Sequence, residues 1–207
     1  MKCPLCEIED TQQRIRSPQF YNCPNCGSVF RSPEHYISAE EEKARYLTHN
    51  NNVEDERYQN FVSPIVKAVT HSFDYQSSGL DFGAGTGPVI SKLLTDKGYQ
   101  MTLWDPFFHP DRSVLDSRYD FIVCCEVMEH FHHPKEEFLL MKRLLKPNGK
   151  LFCKTELLTP KKDFEDWYYK NDTTHVIFYS PQNLLWIKEH LGYARLYVGR
   201  DLIVFDL

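Results

Sequence analysis

The chain has 207 residues and a formal net charge of −5, with 42% hydrophobic and 14% aromatic residues, room for one sizeable domain and a small appendage. No apolar run approaches the roughly 18 residues needed to cross a membrane, MKCPLCEIED has no apolar signal region, and the acidic balance gives no general attraction for nucleic acid or an anionic membrane. Seven cysteines in such a chain predict a reducing, cytoplasmic setting, with metal ligands or buried thiols rather than disulfides.

Two C-x-x-C pairs open the chain, Cys3-Pro-Leu-Cys6 and Cys23-Pro-Asn-Cys26, 16 residues apart. Four thiolates so spaced converge on one tetrahedral zinc ion, and Gly27 supplies the backbone freedom the second turn needs. TQQRIRSPQFYN between them reads as short strands and a turn, so residues 1–37 are expected to form a zinc ribbon. The competing reading is incidental or redox cysteines. A closed four-thiolate site has no open position, which makes this Zn2+ structural. Residues 1–45 carry six basic side chains against seven acidic ones, so no basic face for RNA is visible. Stability, shaping of a substrate site or contact with a protein partner are the roles left for the ribbon.

Ser38 followed by Glu41 predicts a capping box at the head of a helix through AEEEKARYLTH. NNV marks a turn. EDERYQNFVSPIVKAVTHSF then places Tyr58, Phe61, Val62, Ile65, Val66 and Val69 on one helical face, with Pro64 expected to kink or divide it. Residues 38–74 are thus a helical connector, placed to cover a ligand cleft.

LDFGAGTGP, residues 80–88, runs from a strand into glycines at 83, 85 and 87. A dinucleotide fingerprint would want a small residue at 88; Pro88 suits a first helical turn instead. Asp81, two residues before the first glycine, belongs nearer a cation than a pyrophosphate. YQMTLW is the second strand, and Asp105 at its tip is placed to accept from ribose hydroxyls. Pro106, Phe107 and Phe108 offer stacking surface for an adenine. YDFIVCCEVMEHF is a buried strand with a polar tip, HPKEEFLLMKRLLKPNGK an amphipathic helix closed by Pro-Asn-Gly, and LFCKTEL another strand. SPQNLLWIKEHLG is a helix between Ser180 and Gly192, and RLYV and LIVFDL form an antiparallel hairpin about Gly199.

LDFGAGTGP, the Asp105 tip, YDFIVCCEVMEHF and LLKPNGKLF together resemble a class I S-adenosylmethionine-dependent methyltransferase over residues 75–207. EVMEH with its following helix is similar to the small-molecule branch that includes ubiquinone-biosynthesis-type methylases. The resemblance implies an α/β, Rossmann-like, seven-stranded sheet of order 3-2-1-4-5-7-6 with strand 7 antiparallel. It implies that Asp81, Gly83, Ala84, Gly85 and Gly87 approach the methionine moiety of S-adenosylmethionine and that Asp105 takes the ribose. Cys125 and Glu126 would lie beside the cofactor. Only thirteen residues, 106 to 118, separate Asp105 from Tyr119, so SVL is at most a stub of the third strand and Asp116 is the acid expected near the adenine amine.

Methyl transfer needs donor and acceptor aligned, water excluded and, for a hydroxyl or amine, a proton removed. His130, just after the fourth strand, is one residue that can orient the acceptor or act as base; His132 and His133 start the next helix. The richer segment is FEDWYYKNDTTHVIFYS, residues 164–180. Trp167, Tyr168 and Tyr169 are expected on the substrate, and His175 is expected as base with Asp172 orienting it. Thr174-His175 resembles the T-H pair that ubiquinone-type methylases carry near their acceptor. An aromatic lid with a core histidine is the plainer reading of the same residues. Cys124, Cys125 and Cys153 read as core residues. The expected function is methyl transfer to an oxygen, nitrogen or carbon of a small acceptor. The rivals are an RNA-modifying methylase using the ribbon to present RNA and a non-catalytic scaffold that binds S-adenosylmethionine. CCEV stands where methylases of base amines often carry an Asn/Asp-Pro-Pro-Tyr-like tetrapeptide.

Overall fold

The computed structural model describes residues 1–48 and 52–207. The amino-terminal elements are β1 (Gln12–Gln13), β2 (Phe20–Asn22), β3 (Val29–Arg31), α1 (Ala39–Leu47) and α2 (Glu56–Ser72). Then come β4 (Ser78–Phe82), α3 (Val89–Thr95), β5 (Gln100–Trp104), β6 (Tyr119–Cys125), α4 (Pro134–Leu144) and β7 (Leu145–Lys154). The chain closes with β8 (Ile177–Phe178), α5 (Pro181–Leu191), β9 (Arg195–Val198) and β10 (Ile203–Asp206).

The large sheet has six strands in the order β5-β4-β6-β7-β10-β9. β4 runs parallel to β5 and β6, β6 parallel to β7, and β10 antiparallel to both its neighbours. The central strands β4 and β6 bury nearly every side chain, as strands covered on both faces must. Their order matches the expected one with its third strand missing among the described residues. The reason is local. Asp105 and His109 exchange main-chain hydrogen bonds at 3.1 Å, and Arg112–Asp116 is a 3-10 turn capped by Asp111. Ser113, Val114 and Leu115 are therefore in that turn and form no strand stub, and β5 is the sheet edge.

Ser38 and Glu41 make the expected reciprocal cap on α1, at 3.2 and 2.9 Å. His49, at the end of that predicted helix, and Asn51, at the start of the predicted turn, lie outside the described residues. α2 is continuous through Pro64 rather than divided there, because Val62, Ile65, Val66 and Val69 are all buried on its inner face and anchor both halves. Ser180, Pro181 and Gly192 (φ 75°) bound α5 as the sequence predicts. No helix among the described residues is long and apolar enough to cross a membrane.

The second sheet has the order β1-β2-β3-β8, and its last strand is borrowed. β8 belongs to the 164–180 segment, yet it pairs antiparallel with β3, Val29 opposite Phe178 and Phe30 opposite Ile177. Phe20 and Val29 share a core with Phe164, Trp167, Tyr169 and Phe178. The cysteine-rich head and the 164–180 segment are one packed unit.

Candidate active site

The glycine turn sits at the carboxyl end of β4, where Gly83 and Gly85 take φ of 82° and 61°. A Cβ on Gly83 would lie 2.4 Å from Cγ2 of Val127, so the turn must be bare where it meets the chain after β6. The N–H groups of Gly83 and Ala84 donate to the Trp104 carbonyl at 2.8 and 3.1 Å. Asp105 completes the latch: one carboxylate oxygen accepts from Gly85 N–H at 3.0 Å, the other from Phe107 and Phe108 at 2.8 and 3.0 Å. Three of its roughly four acceptor positions are thus held by backbone, which leaves about one for a ligand.

These residues form one end of a cavity of about 1020 Å3 whose wall includes Ala84, Asp105, Pro106, Phe107, Cys125 and Glu126. Tyr46 of α1 and Tyr58 of α2 reach its wall as well, and Tyr168, Tyr169, Asp172, His130 and His175 form the other end. Drug-sized ligands occupy pockets of ~300–1,000 Å3, and this one stands at the upper end of that range.

Three predicted cofactor residues do not reach the wall. Asp81 is 5% exposed and accepts from the Ser91 hydroxyl at 2.7 Å; burial pushes its carboxyl up to about 6. Gly87 precedes α3, where its carbonyl accepts from Val89 N–H at 2.9 Å. Asp116 is exposed at the end of its 3-10 turn, and Arg112 and Leu115 of that turn face the cavity instead. Asp116, expected as the adenine-side acid, is thus outside the cavity lining: successive side chains of a 3-10 turn diverge by about 120°, and Leu115 takes the inward place.

The other end of the cavity is built on the tip of β6. Glu126 adopts φ 52°, a left-handed conformation that a non-glycine residue holds only where its surroundings enforce it. Tyr169 hydroxyl donates to Glu129 Oε1 at 2.5 Å and also lies 3.2 Å from Glu126 Oε2 and 3.0 Å from Thr155 Oγ1. Glu129 is fully buried, and its second oxygen, Oε2, has no hydrogen-bond partner among the described residues. Burial, with Glu129 beside it, pushes Glu126 up to about 9, and burial pushes Glu129 up to about 7. Nothing in the EVMEH stretch itself singles out Glu129; the buried geometry does.

His175 is buried, its Nδ1 2.8 Å from the Tyr169 carbonyl, and burial together with His130 pulls its pKa down to about 4. His130 Nδ1 lies 3.1 Å from the Thr174 carbonyl, and the two imidazole rings are 4.9 Å apart. The expected Asp172–His175 hydrogen bond is absent. Asp172 accepts from Thr174 N–H and Oγ1 at 3.0 and 2.6 Å and from Arg45 at 2.9 Å. Burial opposes ionisation there, but the Thr174 and Arg45 bonds prevail and hold the carboxyl well below the usual range. Asp172 therefore shapes the main chain, and the Tyr169 carbonyl sets the His175 ring. Trp167 is also relocated. It is buried behind the wall, stacked on Tyr169 at 5.1 Å with its indole N–H on Glu156, because Phe20 and Phe178 provide an apolar seat there. Tyr168 stands exposed at the mouth, its hydroxyl on Glu156.

Cys3, Cys6, Cys23 and Cys26 bring their sulfurs within 4.8 Å of one another, with Cys3–Cys26 at 3.6 Å and Cys6–Cys23 at 3.3 Å. Thiolates about 2.3 Å from a tetrahedral zinc would stand roughly 3.8 Å apart, so the set fits that ion. The two pairs are folded alike. Cys3 and Cys23 N–H donate to the Ile8 and Ser28 carbonyls, and Glu7 and Gly27 N–H fold back onto Cys3 and Cys23, all at 2.9 Å. Glu7 (φ 65°) fills in the first turn the left-handed place that Gly27 (φ 74°) fills in the second.

Residues 54–198 match the family described as a methyltransferase domain. In structure the chain is similar to 1,6-didemethyltoxoflavin-N1-methyltransferase of Burkholderia thailandensis, solved with 1,6-didemethyltoxoflavin and S-adenosylhomocysteine bound. Identity is 12% and the TM-score 0.55, over 86% of this chain and 94% of that one. It is also similar to a SAM-dependent methyltransferase from Archaeoglobus fulgidus, at 14% identity and TM-score 0.56 over 72% and 94% of the two chains. Human N-acetylserotonin methyltransferase, in complex with SAM, is 15% identical with TM-score 0.56, over 82% of this chain and 60% of the human one. At such identities the likeness is one of fold. No curated protein matches the chain in sequence.

Proposed function

The chain belongs to the methyltransferase-domain family, and from that membership we propose that it moves a methyl group from S-adenosylmethionine to a small-molecule acceptor. The observation that carries this reading is the single cavity joining the Gly83–Asp105 end to the Glu129–His175 end. Bound there, the cofactor supplies a methyl carbon activated by sulfonium. The remaining acceptor position on Asp105 suits a ribose hydroxyl, Pro106 and Phe107 suit the adenine, and Asp81 under the turn favours a nearby ammonium. Cys125 and Glu126 border the donor. On the acceptor side His130 and His175 orient the substrate, Tyr168 and Tyr169 shape its place, and Asp172 positions the main chain that carries His175. Glu129, at about 7, is better matched to proton removal near neutral pH than His175 at about 4.

The neighbours solved with 1,6-didemethyltoxoflavin and named for N-acetylserotonin support an acceptor of similar size. EVMEH and the Thr174-His175 pair support the ubiquinone-biosynthesis-type branch. The division into ribbon (1–37), helical lid (38–74) and catalytic domain (75–207) remains our reading, as does a structural Zn2+ on the four amino-terminal cysteines and a cytoplasmic setting. The acidic ribbon argues against RNA as acceptor.

Calorimetry with S-adenosylhomocysteine is the direct test: one site per chain is expected, and no binding removes the methyl-transfer reading. Near-stoichiometric zinc by elemental analysis should vanish in the Cys3→Ser/Cys23→Ser double variant; zinc-free wild type would remove the ribbon metal.

A further inference from the structure

Resting on the methyl-transfer reading, we propose that the acceptor wall is itself a metal site: Glu129, His130 and His175 hold one divalent transition-metal ion, which binds the acceptor through oxygen. A carboxylate oxygen of Glu129 and one nitrogen from each ring lie within 4.8 Å of one another, close enough for a single ion to span.

The hydrogen bonds around these groups prepare them as ligands. A main-chain carbonyl only accepts, so Nδ1 of His175 and Nδ1 of His130 each carry the ring proton toward Tyr169 and Thr174. That fixes the lone pair of both rings on Nε2. Anchoring the far ring nitrogen on a carbonyl is how metal-binding histidines are oriented. Glu129, which lines the cavity, is prepared in the same way: the Tyr169 hydroxyl fixes Oε1 at 2.5 Å, while Oε2 is fully buried with no partner among the described residues. An unmatched buried carboxylate oxygen is costly, and a cation removes that cost. Glu126, 3.2 Å from the same hydroxyl, is a second carboxylate at the edge of the set. Lys154, whose charge acts on Glu126, is already committed to the Phe61 carbonyl at 2.8 Å and to Asp201 at 3.7 Å.

The donor set selects the ion and the chemistry. Two imidazoles and a carboxylate on one side, with open positions facing a cavity, suit Mn2+, Fe2+, Co2+ or Zn2+ better than the all-oxygen preference of Mg2+ or Ca2+. Such an ion acts as a Lewis acid on a hydroxyl. Held on the ion, the acceptor O–H loses its proton to solvent at the cavity mouth, beside the exposed Tyr168, and stays as a metal-held oxyanion. Its lone pair forms the new O–C bond to the methyl carbon as the C–S bond breaks, and that electron pair returns to sulfur. The acceptor class this names is a phenol, enol or alcohol, which narrows the oxygen, nitrogen or carbon choice to oxygen.

The test is a Mn2+ titration followed by electron paramagnetic resonance, on the full chain first given one equivalent of zinc to fill the thiolate site. Wild type should bind one further Mn2+. Glu129→Gln, which keeps the shape but not the charge, should weaken that binding about tenfold or more, since losing even a supporting partner of a ligand costs ~10–100-fold. His130→Gln should do the same, and S-adenosylhomocysteine affinity measured on each variant reports that the fold and the donor half persist. No Mn2+ on the wild type, or equal binding by wild type and both variants, overturns the cation site. S-adenosylhomocysteine failing to bind wild type that does take up Mn2+ overturns the methyl-transfer reading and leaves the cation site standing.

Discussion

Arg31, on the last strand of the cysteine-rich head, donates from Nε to the main-chain carbonyl of His175 at 3.1 Å. Its Nη2 donates to the carbonyls of Lys170 and Asp172, both at 3.1 Å, while the guanidinium lies over the Phe20 ring at 4.7 Å. One planar fork thus gathers three carbonyls from the segment that presents Tyr169 and His175. The adjacent main chain adds Arg31 N–H to the Val176 carbonyl at 2.7 Å. The head is therefore packed behind the segment that carries Tyr169 and His175, and what disturbs it should be felt at His175.

Replacing Arg31 by Met keeps an apolar stem on Phe20 but strands three carbonyls with little water to replace the guanidinium. Each lost bond to a charged donor is worth ~1.5–3 kcal/mol, and relaxation recovers some of it, so we expect a net loss of about 2–4 kcal/mol in urea unfolding. S-adenosylhomocysteine affinity should stay within about twofold, because Asp105 and the glycine turn are at the opposite end of the cavity, while acceptor turnover should drop. Arg31→Lys should recover little, since one ammonium cannot fork across three carbonyls. Equal stability of Arg31→Met and wild type would show the clamp to be ornamental.

Gly83→Ala should destabilise by about 2–3 kcal/mol for two separable reasons: φ 82° is unfavourable for a residue with Cβ, and that Cβ would lie 2.4 Å from Val127 Cγ2. Adding Val127→Ala removes the steric part alone. A thermal double-mutant cycle should then show a favourable coupling of about 1 kcal/mol or more. No coupling would mean that the turn moves away from Val127 freely.

The sheet was legible because its signals are local. Buried runs such as DFIVCC, the glycines after β4, the Asp105 tip and the Ser180–Gly192 helix boundaries each declare themselves within a few residues. The short 106–118 segment also announced a weakened third strand, although not that SVL would close into a 3-10 turn. What stayed hidden depends on partners far apart in the chain. β8 reads as part of a loop because its partner, β3, lies almost 150 residues earlier. Trp167 reads as a substrate residue because Phe20, which helps bury it, is equally distant. Asp172 was credited with the His175 ring on proximity in sequence, whereas Arg45 and Thr174 claim its carboxylate. Glu129 became conspicuous only when its burial left Oε2 without a partner.

Asp105 holds the Gly85, Phe107 and Phe108 N–H groups, so its removal should act twice. Asp105→Ala deletes both the latch and the position proposed for ribose, and should weaken S-adenosylhomocysteine binding by ~1–3 kcal/mol in calorimetry. Asp105→Asn should fall nearly as far, because an amide turns two acceptor positions into donors aimed at backbone N–H groups. Wild-type affinity in Asp105→Ala would remove the ribose assignment.

Asp81 gives a pH-dependent prediction whose sign follows from its burial. Its carboxyl is pushed up to about 6, above the ~3.9 of an unfolded aspartate. Between these values the folded protein holds more protons than the unfolded one, so stability should fall as pH rises through about 4 to 6 and stay lower above that window. Two units correspond to about 3 kcal/mol. Asp81→Asn keeps an oxygen for the Ser91 hydroxyl and has no charge to bury, so it should lose that pH slope and be more stable than wild type at pH 7 to 8. It should also bind S-adenosylhomocysteine more weakly, because the wild-type carboxylate favours the cofactor's ammonium. Urea unfolding of both proteins from pH 4 to 8, with calorimetry at pH 7.5, reads both effects. A stability gain without an affinity loss would leave Asp81 a buried strand residue with no part in holding the cofactor.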